Sequence, residues 1–119
     1  GNLYILSRKG HALRMARPDG RIYTVAGSGK PHATDGPALQ AGLNGPKHLC
    51  IDLDNSVIIA DAENHLIKRY DPKAQTLKTI LDHGPNGTPL NRPHGVWVRP
   101  DGFLYICDSW NDRILKLAP

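Results

Sequence analysis

The side chains able to do chemistry fall into a few groups. Two carboxylates, Asp61 and Asp108, each close an apolar run, and three residues later comes an asparagine, Asn64 or Asn111. A carboxylate so placed accepts the backbone N–H groups of a turn, and asparagine tolerates left-handed backbone. These four residues, with His65, are therefore expected to lock turns, since a Ca²⁺ site would need several more converging oxygens. Six histidines raise the question of zinc: His11, His32, His48, His65, His83 and His94. No pair has His-x-x-x-His spacing, and none sits in a protease-like helix with an acid. Ser7, Ser28, Ser56 and Ser109 lie in no nucleophile elbow. Gly27-Ser28-Gly29-Lys30 lacks the spacing and the following helix of a phosphate loop. Trp97 and Trp110 could serve as stacking platforms. For Trp97 packing between blades is the better reading, whereas Trp110 sits in an open turn.

The elements that position these residues must be short. The chain has 119 residues, enough for one domain, and its 12 glycines and 10 prolines fit a chain that turns often. The net charge is +4, with basic residues scattered singly or in pairs, which argues against a nucleic-acid surface. No apolar stretch approaches the ~18 residues of a membrane helix, and no signal-peptide pattern opens the chain. Leu3-Tyr4-Ile5-Leu6 already reads as strand, as expected of a piece of a longer protein. Cys50 and Cys107 sit inside apolar runs and read as small core residues. They leave the compartment open.

Three segments align without gaps: GNLYILSRKGHALRM from Gly1, NSVIIADAENHLIKRY from Asn55 and GFLYICDSWNDRILKL from Gly102. The last two start 47 residues apart and the first two 54, the excess lying between Gly27 and Pro46. Such periods, with several short strands in each, mark propeller blades. Upstream, the apolar residues Leu49, Ile51 and Leu53 fall at every second position, as do Val96 and Val98. Period-two alternation means a strand, here termed A. The following run, Val57–Ala60 or Leu104–Cys107, is apolar throughout, as expected of a strand B buried on both faces between neighbouring blades. Strand C is expected at Ala12–Ala16, Leu66–Tyr70 and Arg113–Leu117, and strand D at Arg21–Ala26 and Thr76–Leu81. Strand A is expected near His48–Leu53 and Val96–Arg99. The prediction is an all-β single segment: a partial blade over 1–29, a spacer over 30–45, a blade over 46–84 and a partial blade over 91–119. Apolar faces left open by an incomplete array call for further blades or for self-association that closes the ring.

Ile59-Ala60-Asp61-Ala62-Glu63-Asn64-His65-Leu66-Ile67-Lys68 resembles the core of an NHL repeat, with Asn64-His65-Leu66 spelling the triplet that names it. The third copy keeps Asp108 and Asn111 and has Asp112 for the histidine; the first keeps only His11. Thr24–Gly29, Asp35–Ala38 and Leu43–Pro46 resemble the spacer between bacterial NHL repeats. The resemblance implies a six-bladed propeller, of which this chain would supply a little under half. His11 and His65 are equivalent, which points to a turn role.

Pro93-His94-Gly95-Val96 is similar to the start of strand A in the amidating lyase propellers, whose axial histidines bind zinc. His94 is thus the one candidate metal ligand. The aligned residue in the preceding copy is Lys47, and His48 is one place out of register, so no metal site and no cofactor are predicted. The expected function is a non-catalytic binding or scaffold module, with a protein or small-molecule ligand meeting the channel mouth at Asn44, Lys47, Asn91, Arg92, His94 and Trp110. The alternatives are part of a metal-dependent lyase or lactone hydrolase, and an RNA-binding NHL domain.

Overall fold

Eleven strands alternate with tight turns in a computed structural model that describes residues 2–119. Gly1, which opens the first repeat copy, lies outside the described residues. The first sheet holds β1 (Leu3–Ser7), β2 (Ala12–Ala16) and β3 (Ile22–Ala26). The second holds β4 (Gly36–Pro37), β5 (His48–Ile51), β6 (Val57–Asp61), β7 (Leu66–Asp71) and β8 (Thr76–Leu81), in the order β4-β8-β7-β6-β5. The third holds β9 (Gly95–Val98), β10 (Leu104–Asp108) and β11 (Arg113–Leu117). Every strand pairing is antiparallel, and apart from β4, which joins the outer edge at β8, consecutive strands form meanders, so each sheet is a propeller blade and the chain is all-β. Single 3₁₀ turns, 62–64 and 109–111, join β6 to β7 and β10 to β11.

The cores lie between blades. Val57 and Ile59 face the first sheet and pack with Leu13, Ala26, Tyr70 and Leu77. Ile58 and Ala60, on the opposite face of β6, pack with Ile67, Val96, Leu104 and Ile106 of the third sheet side. All five residues of β6 are buried, which is why its sequence is a continuous apolar run rather than an alternating one. The outer faces of the end blades stay open. Leu3 and Ile22 on the first sheet are 63% and 58% exposed, and Trp97 and Ile114 on the third are 57% and 70% exposed. Trp97, expected to pack between blades, instead lies with its ring against Tyr105 of the neighbouring strand in its own sheet, centroids 6.1 Å apart, and its outer side faces no blade of this chain.

Two expectations change. Strand β5 stops at Ile51, because Asp52 already begins a turn in which Asn55 N–H donates to the Asp52 carbonyl and Asn55 takes φ +69°. Leu53 is therefore an exposed turn residue and not part of the alternation. The stretch 30–45 is also more than a spacer. Gly36–Pro37 pairs with β8 as a fifth strand, and Ala38, Ala41 and Leu43 are buried in the core shared by the first two blades.

A buried cation holds that stretch down. Lys68 lies at a β-bulge of β7, fully buried, where an amphipathic strand would otherwise place an apolar residue. Its Nζ donates to the carbonyls of Ala33 (2.8 Å) and Gly42 (3.0 Å) and pairs with Asp35 Oδ1 at 3.0 Å. Asp35 in turn accepts from Thr79 N–H and Oγ1. Burial pushes the Asp35 carboxyl up, but Thr79 and Lys68 outweigh it and hold it below the ordinary carboxylate range. An ammonium at this depth is tolerable only because all three of its donors are met. Lys68→Ala should therefore lower the unfolding free energy by about 3 kcal/mol in urea denaturation, with Lys68→Met, which keeps the packed stem, losing less. A loss well under 1 kcal/mol for the alanine variant would show that loop 30–45 is held by its apolar residues alone.

Candidate functional site

One end of the blade array is built from the loops that lead into β5 and β9 and from the turns that follow β1, β6 and β10. Its geometry repeats. In the loop before β5, Asn44 N–H donates to Asp61 Oδ1 at 2.7 Å, and the next N–H, of Gly45, donates to His11 Nδ1 at 3.1 Å. In the loop before β9, Asn91 N–H donates to Asp108 Oδ1 at 2.8 Å, and Arg92 N–H donates to His65 Nδ1 at 3.0 Å. The aspartate belongs to the loop's own blade and the histidine to the preceding one. The Asn44 and Asn91 carbonyls accept from Glu63 N–H and Trp110 N–H, each at 3.1 Å. A further bond of this kind, Val96 N–H to His48 Nδ1 at 3.2 Å, links the two innermost strands.

The turn residues thus act differently from the expectation. The backbone N–H groups that donate to Asp61 and Asp108 come from the preceding loop and not from their own turn. The left-handed residue is not the asparagine but the one after it: His11 (φ 51°), His65 (φ 58°) and Asp112 (φ 52°). Asn64 and Asn111 orient the carboxylates, donating from Nδ2 to Asp61 Oδ2 (2.7 Å) and Asp108 Oδ2 (2.8 Å), and also donate to the carbonyls of His32 and Pro89.

The two carboxylates are both fully buried and titrate apart. Burial pushes Asp61 up to about 6, against the Asn44 N–H, the Asn64 amide and the charge of Lys68. Burial also pushes Asp108 up, but the Asn91 N–H, the Asn111 amide and the added ion pair with Arg113 (Nε to Oδ2, 2.7 Å) together leave it below the ordinary range. The position equivalent to Arg113 in the middle blade is Leu66, which supplies no charge.

The residues expected at the channel mouth divide into two sets. Arg92 and Trp110 are joined to each other, the guanidinium carbon standing 4.4 Å from the indole centroid, and Arg92 also pairs with Glu63 of the preceding blade. Asn44 and Asn91 have both backbone groups engaged in the loop geometry above, leaving only side chains to face outward. Lys47 and His94 take equivalent places, their N–H groups donating to the Ala60 and Cys107 carbonyls. His94 borders a groove of about 440 Å³ with His48, Trp97, Tyr105 and Cys107 among its walls. Burial and the charges of Lys47, Arg92 and Arg8 hold its imidazole below the ordinary histidine range; Glu63 alone pulls it the other way.

Arg8 and Glu63 were missed at the sequence level. Arg8 falls in the first B–C turn, the copy that departs furthest from the repeat, and Glu63 is aligned with Trp110, so no shared residue type marked either position.

Other chemistry finds less support. Ser28 Oγ and His32 Nε2 lie 2.9 Å apart, a pairing reminiscent of a nucleophile and its base. His32 Nδ1 accepts from Thr34 N–H, however, which puts the ring proton on Nε2 and makes His32 a donor to the serine. Both cysteines are free thiols, and burial first, then Asp52, raises Cys50 to about 11. Among the described residues no three His, Cys, Asp or Glu side chains converge as a metal site would require.

No family model matches the chain. Among curated proteins it is similar to NHL repeat-containing protein 2 of Bos taurus, 30% identical over 125 residues that span 90% of this chain and 17% of that protein. Among solved structures it is similar to an auxiliary nutrient binding protein from Bacteroides thetaiotaomicron, with a TM-score of 0.79 and 22% identity over 95% of this chain and 33% of the other. It is also similar to virginiamycin B lyase from Staphylococcus aureus, with a TM-score of 0.64 and 17% identity over all of this chain and 38% of the other. At these identities the solved structures speak for the fold, a β-propeller. With the Asn-His-Leu triplet in its repeat and these relatives, the chain belongs to the NHL-repeat proteins and carries part of their propeller.

The unequal pair of aspartates yields a pH prediction. Asp61 holds its proton more tightly in the folded chain than in the unfolded one, where its value is near 3.8, so its contribution to stability is greatest below that value and declines as pH rises toward about 6. Asp108 has the opposite sign: its contribution is present above the unfolded value and disappears as pH falls through the lower folded one. Asp61→Asn should remove the decline between these pH values, read as the difference in unfolding free energy against pH. Carbon-detected NMR should place the Asp61 midpoint above that of Asp108; the reverse order would refute the assignment.

Proposed function

We propose that the chain is a non-catalytic binding module whose ligand meets the loops before β5 and β9 and the turns beside them. One observation carries this reading. At this face the backbone is held the same way in successive blades, while the side chains it projects change from blade to blade: Lys47 becomes His94, Gly45 becomes Arg92 and Glu63 becomes Trp110. A constant scaffold with exchanged outward side chains is the arrangement of a recognition surface. The proteins that share the fold include both a nutrient-binding protein and a lyase, so the reading rests on the face itself and not on them. Its ligand is a small molecule or a protein segment that fits a positively biased, partly aromatic surface.

The test is amide chemical-shift mapping of the 119-residue chain against a panel of small sugars, amino acids, organic acids and lactones. Binders should perturb the amides of Asn44–Lys47 and Asn91–His94 and emerge chemically unchanged. Perturbations confined to the opposite end, at 52–56, 71–75 and 99–102, would sink the proposal, and turnover of a lactone would replace it with the enzymatic alternative.

A further inference from the structure

The face described above carries an imbalance of charge. Arg8 stands in the turn after β1, Lys47 in the loop before β5, and Arg92 and His94 in the loop before β9. The bonds from Gly45 N–H to His11 and from Arg92 N–H to His65 place these turns and loops side by side. The one nearby acid that acts on the His94 ring is Glu63, and it is already paired with Arg92. Arg8 and Lys47 have no carboxylate within ion-pair distance among the described residues. Two polar atoms at the same place, His94 Nε2 and Arg92 Nε, are sealed from solvent without a hydrogen-bond partner. Like charges gathered around an unpaired imidazole repel one another, and their association is relieved by an anion.

We propose that this cluster binds an oxyanion, the phosphate or carboxylate end of a small ligand, with Lys47 and Arg8 as the charged contacts and His94 beside them. The proposal rests on the reading of this face as the binding surface and names the chemistry of its ligand. Arg92 contributes field and not a primary contact, since its guanidinium is fixed between Glu63 and the Trp110 ring. Arg8 is exposed and Lys47 half-buried, and both carry long, adjustable side chains that suit an anion of either geometry. Burial and the cations of Lys47, Arg92 and Arg8 disfavour the charged His94 ring, and an anion beside it would favour the protonated form.

The experiment follows the His94 ring and the surrounding amides by NMR while inorganic phosphate, citrate, glucose or an oligouridylate is added separately. Phosphate or citrate should shift the His94 ring saturably and raise its titration midpoint. Lys47→Gln and Arg8→Gln should each weaken that binding roughly tenfold, while Lys73→Gln, on the opposite end, leaves it unchanged. All three variants should keep the thermal midpoint of the parent. A stronger response to phosphate assigns a phosphorylated ligand, and a stronger response to citrate assigns a carboxylate.

The proposal is overturned if neither anion acts saturably, or if Lys73→Gln matters as much as Lys47→Gln. It is also overturned if only the oligouridylate binds, which would assign the cluster to a polymer backbone. Glucose perturbing these amides while the anions do not would overturn the anion and keep the binding face. Anions perturbing only the turns at 52–56, 71–75 and 99–102 would overturn both.

Discussion

The blade array depends on the capture of two successive backbone N–H groups in each loop that enters an innermost strand. One goes to a buried aspartate of the same blade and the other to the histidine of the blade before. Hydrophobic burial between sheets supplies most of the cohesion, but it is non-directional and does not fix how one sheet is rotated against the next. Hydrogen bonds do, because a buried N–H left without an acceptor costs about 1–3 kcal/mol. The aspartate bond sets the loop on its own sheet, and the histidine bond sets that sheet on its neighbour. Both histidines take left-handed backbone, His11 at the end of a tight turn and His65 at the end of a 3₁₀ turn.

This explains what could be read from the chain alone. Strand pattern, blade period and the doubly buried β6 are local signals, and alternation or its absence reports them directly. The Asn-His-Leu triplet was visible too, as was its place in a turn. Its role as a tie between blades was not, because the partner is a backbone N–H, and a backbone group leaves no mark on residue identity. The donors of Gly45 and Arg92 lie 34 and 27 residues from their histidines, in loops with different side chains. The segment 30–45 was legible as an insertion between repeats but not as core, since Ala38, Ala41 and Leu43 lack the period of a strand. One signal could have exposed it: Lys68 at the alternate position between Leu66 and Tyr70, on the apolar side of its strand, implies carbonyls or a carboxylate brought to it from elsewhere.

The same lock tolerates two electrostatic settings. Asp108 has Arg113 as a counter-ion, whereas Asp61 has Leu66 in that place and depends on hydrogen bonds and the more distant Lys68. Lys68 is not available to close the gap, because its ammonium is occupied by Asp35 and two carbonyls of the inserted segment. The insertion that enlarges the middle blade and the elevated carboxyl of Asp61 are thus connected.

Arg92 shows how a change at the outer face is constrained by the same backbone. The equivalent Gly45 takes φ +56°, and a Cβ there would stand 2.7 Å from Glu63 Cγ. Arg92 adopts nearly the same conformation, φ +46°, which for a residue with a side chain is disfavoured by about 1 kcal/mol. The ion pair with Glu63 and the stacking on Trp110 offset that strain, and they succeed only because those two residues flank the loop from successive blades. In consequence the most aromatic part of the face is already covered by the chain's own cation. Trp110 remains 60% exposed, but one of its faces is taken. Lys47 and Arg8, on the same face, have no carboxylate within ion-pair distance among the described residues, so the cations that remain unpaired there are not the one that covers the ring.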